Sequence, residues 1–157
     1  TARKIYENQL HSLLASITHA AGYFHLDLTD DKILKIGGTS AQYGDVFGGW
    51  IMSQVDLAGS SIASRVANSR TATVAVTSFT FKEPVWVGDV VSFYATVLKV
   101  GTTSITVDVT VFAERLHKDN HRIVKVTEAQ LVFVALNKDG RPQPVYRADN
   151  PAPEKTE

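Results

Sequence analysis

The chain has 157 residues, with 16 Lys and Arg against 16 Asp and Glu, and this length and balance are typical of one globular domain. Its formal net charge of zero disfavours general binding to nucleic acid or to an anionic membrane surface. The lack of cysteine excludes a disulfide framework, a thiolate nucleophile and every Cys-based zinc site.

An amphipathic helix is the first predicted element and covers residues 1–22. Apolar side chains recur there at roughly helical spacing, with polar and charged residues between them: Ile5, Leu10, Leu13, Leu14 and Ile17. The segment has no basic start followed by an unbroken apolar block, so we expect no signal peptide. No part of the sequence is apolar enough to predict a membrane span, and a cytoplasmic location is the default expectation.

Two short apolar runs follow, at residues 23–28 and 33–36, and the polar residues 29–31 separate them. This arrangement predicts two brief strands around a turn. The pattern ends at the pair Gly37 and Gly38.

The segment of residues 46–64 is the most informative, because Asp56 is its only charged side chain. A helix without a charged face is expected to be buried nearly all round, wrapped by other elements. Gly48, Gly49 and Gly59 each cost about 1 kcal/mol of helix propensity relative to Ala, which indicates close backbone approach. Asp45 precedes the helix and is its predicted N-cap.

Four longer runs rich in β-branched and aromatic residues come next and predict strands: 71–81, 90–98, 105–116 and 123–136. The last three should form an antiparallel meander. One apolar helix followed by long antiparallel strands predicts an α+β fold in which the sheet curls around the helix. Prolines and scattered charges after residue 140 predict an ordered domain over 23–145 and a flexible tail over 146–157.

Asp56 is the leading catalytic candidate. A lone carboxylate is costly to bury unless it is hydrogen-bonded, neutralised or used in chemistry, so its position favours a base or a nucleophile. Ser60, one turn further on, could hydrogen-bond to this carboxylate or to a water. The alternative is a structural ion pair between Asp56 and Arg65 or Arg70.

Gly48 and Gly49 stand where the helix is predicted to begin. Unpaired N–H groups at a helix start can face an oxygen that becomes negative during a reaction. Eight residues separate Gly48 from Asp56, or about 12 Å along a helix axis, so one carbonyl cannot contact both. If both act on one substrate, they belong to different subunits, with two helices antiparallel across a two-fold axis.

Other polar residues have simpler interpretations. Asp89 follows Gly88 and is interpreted as a turn residue. His117 and His121 flank a polar turn without a third strong ligand nearby, which favours a solvated turn over a metal site. The sequence contains no GxSxG, P-loop or GxGxxG motif.

Four segments together resemble one known family, the bacterial hotdog-fold acyl-CoA thioesterases of the acyl-CoA hydrolase type. They occur in the family's order: GDVFGGWIMSQVD at 44–56, FKEPVWVGDVV at 81–91, GTTS at 101–104 and VTEA at 126–129. The resemblance extends from about residue 44 to about residue 145. The four segments together are specific evidence for this family, whereas each segment alone is weak evidence.

The resemblance implies a hotdog fold and hydrolysis of acyl-CoA thioesters to a free acid and CoA, without a metal or redox cofactor. It implies that Asp56 is the catalytic carboxylate and that the Gly48 and Gly49 amides are oxyanion donors. It also implies a homodimer as the minimal unit, often assembled into a trimer of dimers. Because the chain is neutral, the CoA phosphates need local partners, and we expect these to include Gly101, Thr102, Thr103, Ser104 and Arg122. Lys99, Arg115 and Lys125 are alternatives, and all of these charges could equally be solvated strand ends.

One departure from the family pattern leaves a second function open. Members commonly place Asn or Gln a few residues before the Gly-Asp pair, where this chain has Ala41, and the adjacent Gln42 could substitute. Without that amide, the chain could bind or sense acyl-CoA without hydrolysing it. Hydration of enoyl-CoA ranks last, because it needs a paired Asp and His and no His lies between Leu26 and Leu116.

Overall fold

The computed structural model describes residues 22–27, 46–117 and 120–154, with side chains over 46–115 and 121–154. The predicted helix before residue 22 and the predicted strand at 33–36 lie outside the described residues. Within the described ranges, no helix combines the length and the apolar character that crossing a membrane requires.

The described part of the chain contains one helix and five strands. In chain order these are β1 (Gly22–Asp27), α1 (Gly48–Ala67), β2 (Arg70–Phe81), β3 (Val90–Val100), β4 (Ser104–His117) and β5 (Asn120–Leu136). The strands form one sheet in the order β1-β3-β4-β5-β2, and every neighbouring pair is antiparallel. Helix α1 contacts all five strands. The predicted α+β class, with an antiparallel sheet around a long central helix, is confirmed.

The core lies between α1 and the face of the sheet that it covers. On β4, Ile105, Val107 and Val109 are fully buried, as the alternation of apolar and polar residues predicts. Their helix partners include Ile51 and Val55, which are also buried. Burial of each such side chain contributes about 1.5–3 kcal/mol.

Two glycines allow α1 to lie close to its neighbours. A Cβ on Gly59 would lie 2.8 Å from Cζ of Phe133, and one on Gly48 would lie 2.9 Å from Cζ of Phe81. The predicted close approach is confirmed at both positions. Close approach at Gly49 is not found within the single chain, because a Cβ there would meet nothing within 4 Å.

The prediction that the helix is buried nearly all round is wrong for the single chain. The sheet covers one face of α1, and the opposite face carries the exposed side chains of Met52 and Leu57, the latter 58% exposed. The exposed side chains of α1 before Arg65 carry no charge, which is compatible with cover by another subunit rather than by the chain's own sheet.

The chain after Val145 is docked, in contrast to the predicted flexible tail. Helix α1 ends at Ala67 and is followed by its C-cap Asn68 in the left-handed conformation, and the last carbonyls of the helix need partners. Arg147 donates hydrogen bonds to the carbonyls of Ala67 at 2.8 Å and Asn68 at 3.1 Å. Asn150 donates to the Val66 carbonyl at 3.0 Å. The tail therefore caps the helix, at least as far as Asn150.

Candidate active site

Asp56 lies on α1, half-buried, and its carboxylate faces strand β2. Its Oδ1 accepts a hydrogen bond of 2.5 Å from the hydroxyl of Thr73. The expected enclosure of this acid is therefore only partial in the single chain. The alternative ion pair with Arg65 or Arg70 does not form among the described residues.

Thr73 is a residue of the candidate site that the sequence alone did not indicate. It lies 17 residues after Asp56, opposite Phe133 on β5 and beside an irregularity in the β2–β5 pairing. Such irregularities re-aim side chains relative to a regular strand. No local sequence signal identifies the contact, because it depends on how β2 lies beside the helix.

Ser60 does not contact Asp56. Its hydroxyl donates instead to the carbonyl of Leu57 at 3.0 Å, one turn back in the same helix. Ser53 makes the equivalent bond to Trp50 at 2.7 Å. Serines within helices commonly bond in this way. The hydroxyl that donates to Asp56 is that of Thr73 rather than the predicted Ser60.

The helix begins at Gly48, as predicted, but its N-cap position is Phe47 rather than Asp45, which lies outside the described residues. Phe47 makes no side-chain cap, and its carbonyl accepts from the N–H groups of Trp50 and Ile51. The N–H groups of Gly48 and Gly49 precede these and have no acceptor within the helix. They therefore suit an external oxygen, and the partial positive charge of the helix start favours an anionic one.

A cleft of about 420 Å³ opens beside this helix start. Its lining is mostly apolar and comes from the start of α1, the end of β2 and the loop after β2: Val46, Gly48, Ile51, Phe81, Lys82, Glu83, Pro84 and Val85. The ring of Phe81 lies directly over Gly48. A thin apolar group could thus reach the helix-start amides from this cleft.

Asp56 does not line this cleft. Gly48 and Asp56 lie on one continuous helix and are separated by about 12 Å along its axis. The single chain therefore keeps the acid and the helix-start amides apart, as the spacing predicts.

The residues expected to contact CoA do not lie together in one chain. In the turn between β3 and β4, the carbonyls of Thr102 and Thr103 accept from Val145 and Ala135, and Gly101 donates to the Ser104 carbonyl. Arg122, on β5, lies opposite Arg115, which is near the other end of β4 from Ser104. About 36 Å of strand separates Ser104 from Arg115.

The described side chains contain no group of three His, Cys, Asp or Glu arranged to hold a metal ion. His121 lies 3.5 Å from the carboxylate of Glu114, and the side chain of His117 lies outside the described part. Asp89 closes the predicted turn, because its N–H donates to the Trp86 carbonyl at 3.0 Å.

Comparison with known proteins agrees with this architecture. Residues 43–118 match the thioesterase superfamily. The acyl-CoA thioester hydrolase YciA of Salmonella typhimurium is 44% identical over 103 residues, covering 65% of this chain and 77% of that protein.

Two solved structures have the same fold. A variant of HI0827, a hexameric broad-specificity acyl-coenzyme A thioesterase, is 35% identical with a TM-score of 0.71, covering 81% of this chain and 87% of that chain. Cj0915 of Campylobacter jejuni, a hexameric hotdog-fold thioesterase, is 34% identical with a TM-score of 0.69, covering 77% and 86%. These likenesses confirm the predicted hotdog architecture.

Proposed function

Because the chain belongs to the hotdog-fold thioesterase superfamily, among the acyl-CoA thioester hydrolases of the YciA type, we propose that it hydrolyses acyl-CoA thioesters to a free carboxylic acid and CoA. In this proposal Asp56 is the catalytic carboxylate, and the N–H groups of Gly48 and Gly49 bind the oxyanion. The observation that carries it is the position of Asp56 on the central helix, half-buried and hydrogen-bonded through one carboxylate oxygen to Thr73 of β2.

The contact with Thr73 supports the role of Asp56. The hydroxyl occupies one carboxylate oxygen and orients the group, which leaves the second oxygen to act. A carboxylate held in one orientation is better prepared to remove a proton from water, or to attack a carbonyl, than a freely rotating one. Ser60, which donates to the Leu57 carbonyl, has at most an indirect role.

The chemistry needs both an acid group and oxyanion donors at one thioester. Either Asp56 takes a proton from a water that attacks the carbonyl carbon, or it attacks that carbon itself and water then hydrolyses the anhydride. In both routes the carbonyl oxygen becomes negative, the C–S bond breaks, and CoA leaves as a thiolate that takes up a proton. The helix-start amides stabilise the negative oxygen.

If both groups act on one thioester, as we propose, the distance between Gly48 and Asp56 calls for a second copy of the chain. When two α1 helices lie antiparallel across a two-fold axis, the Asp56 of each meets the helix start of the other. The exposed apolar side chains of Met52 and Leu57 on α1 are suited to such packing.

Strand β2 offers a second contact surface for the dimer. It lies at an edge of the sheet and carries exposed apolar side chains, among them Val74 and Val76. An edge strand of this kind is usually covered in the native protein. The hexameric state of HI0827 and Cj0915 is consistent with three such dimers.

Assembly also bears on CoA recognition. The turn formed by Gly101, Thr102, Thr103 and Ser104 and the side chain of Arg122 lie at opposite ends of β4, so they cannot hold the same phosphate within one chain. We propose that they contact CoA from different subunits, as the acid and the amides do.

Release of free thiol from a panel of acyl-CoA substrates tests the proposal. Asp56→Asn should lower kcat by at least about 100-fold, because the group that activates water or attacks the carbonyl is lost. Asp139→Asn, at an exposed turn carboxylate, is the matched control and should retain wild-type turnover.

Undiminished turnover of a folded Asp56→Asn variant would end the assignment of this residue. Tight binding of acyl-CoA by the wild type without release of thiol would instead support the alternative function, a non-hydrolytic acyl-CoA binding module. That alternative arises from Ala41, which lies outside the described residues.

A further inference from the structure

The loop of residues 82–89, between β2 and β3, both lines the cleft and holds the start of α1. Lys82, Glu83, Pro84 and Val85 contribute to the cleft lining. The carbonyl of Val85 accepts a hydrogen bond of 2.8 Å from the N–H of Val46, two residues before the helix begins. The position of this loop therefore fixes where the first helical amides lie.

Arg115, on β4, holds that loop at three points. Its Nε lies 3.4 Å from Oδ2 of Asp89, its Nη2 donates to the Pro84 carbonyl, and its guanidinium carbon lies 5.4 Å from the centre of the Trp86 ring. The side chain is only 20% exposed, so these contacts are partly shielded from water. A planar guanidinium can make all three at once, which the point charge of a lysine cannot.

The carboxylate of Asp89 completes the arrangement from within the loop. It is 3% exposed, and its Oδ2 accepts from the N–H of Trp86 at 2.9 Å as well as from Arg115. A buried carboxylate that loses its cation strongly destabilises the folded protein. Asp89 and Arg115 thus depend on each other, and together they determine the path of the chain from Pro84 to Asp89.

We infer that Arg115 is a positioning residue for thioester hydrolysis: it holds the 82–89 loop so that the Val85–Val46 hydrogen bond keeps the Gly48 and Gly49 amides at the reacting carbonyl. The inference rests on the proposed function. Arg115 does not itself touch the substrate. It ties the part of the loop from Pro84 to Asp89 to β4, whereas the start of the loop is held by hydrogen bonds from the Lys82 and Glu83 N–H groups to the Val126 carbonyl of β5.

This role predicts a particular kinetic pattern. Oxyanion donors act in the transition state rather than in the bound substrate, so displacing them lowers kcat and leaves KM nearly unchanged. The thioester carbonyl is common to all acyl-CoA substrates, so the loss should be the same for short and long acyl chains. A change that only reshaped the cleft would alter KM and would depend on acyl length.

The experiment compares Arg115→Ala and Arg115→Lys with the wild type on acetyl-CoA, butyryl-CoA and octanoyl-CoA. Arg115→Ala should lower kcat by about 10- to 100-fold, equally for all three substrates, because small displacements of catalytic groups have effects of this size. Arg115→Lys keeps the charge opposite Asp89 and should recover part of the loss. Arg141→Ala, at an exposed arginine outside the loop and the sheet, is the control and should match the wild type.

Three results would overturn the inference: a wild-type kcat in Arg115→Ala, a loss that varies with acyl length, or a loss confined to KM. If Arg115→Ala does not fold, Asp89→Asn tests the same contact, since it keeps an acceptor for the Trp86 N–H but removes the charge. It should show the same uniform loss of kcat. A wild-type protein that releases no thiol would refute the proposed function itself. This result distinguishes failure of the proposed function from failure of the inference about Arg115.

Discussion

Two neighbouring acids on the sheet illustrate how surroundings set the charge of a residue. Burial, and then the nearby charge of Glu128, raise the pKa of Asp108 on β4 above its ordinary value of 3.8, and Lys125 partly opposes this. Hydrogen bonds from Lys125 and Lys82, both at 2.7 Å, lower the pKa of Glu128. The ionised Asp108 is therefore tolerated rather than stabilising, whereas the ionised Glu128 ties β5 to the start of the 82–89 loop.

Asp108→Asn should stabilise the protein at neutral pH, by less than about 1 kcal/mol because the carboxylate keeps much of its solvent screening. A raised folded-state pKa means that the folded protein binds the proton more tightly than the unfolded chain does, so stability falls as pH rises through that pKa. The gain from the substitution should therefore be present at pH 7 and should disappear below about pH 3.8.

Urea denaturation of Asp108→Asn and wild type across pH 3 to 8 measures this difference. Asp139→Asn is the control, because its carboxylate is exposed on a turn. A constant stability difference across the range would contradict the prediction.

At the scale of elements, α1 shows what a hydropathy pattern can and cannot indicate. The segment whose only charged residue is Asp56 correctly predicts a central helix that begins at Gly48 and Gly49, although not its N-cap residue. It does not predict which face the sheet covers, because both faces are apolar or small. Nor does it predict that the C-terminal segment supplies the helix cap, since Arg147 lies 80 residues after its acceptor Ala67.

Arg147→Ala should lower the free energy of unfolding by about 1.5–3 kcal/mol, the usual contribution of hydrogen bonds that involve a charged group. Urea denaturation measures the loss, and Arg141→Ala is the control at an exposed arginine of the same segment. Removal of residues 146–157 should have at least as large an effect. An unchanged midpoint in both variants would restore the prediction of a flexible tail.

At the scale of the whole molecule, Asp56 and the helix-start amides lie apart in the single chain, so our proposal that both act on one thioester assigns activity to the assembly. Each proposed site takes its acid from one subunit and its amides from another. A chain that lacks the acid and a chain with blocked amides should then complement each other, because their mixed dimer contains one complete site.

Asp56→Asn, which lacks the acid, and Gly49→Val, whose side chain blocks the helix-start amides, test this complementation. Gly49→Val should still fold, because a Cβ at Gly49 meets nothing within 4 Å in the single chain. Each variant alone should be nearly inactive. Random mixing, through co-expression or refolding together, should recover about one quarter of wild-type activity, as half of the dimers are mixed and each has one intact site. Mixed oligomers without recovered activity would contradict the shared site.

Much of the fold and part of the candidate site could be predicted from local patterns. The alternation along β4 identifies the buried residues Ile105, Val107 and Val109, because side chains on a strand point to opposite faces in turn. The isolation of Asp56 in an uncharged helix singles it out as the candidate acid. Thr73, Asp89 with Arg115, and Arg147 could not be paired with their partners in this way.

The sequence by itself determined the class of fold, the central helix, the candidate acid and the separation of that acid from the helix start, since each depends on periodicity or spacing within one segment. Only the tertiary structure decided that Thr73 orients Asp56, that Arg115 holds the cleft loop, and that Arg147 caps α1. The physical reason is the separation along the sequence between the residues that interact. Local geometry is set by neighbours in the chain, whereas these contacts form only when segments distant in sequence pack side by side.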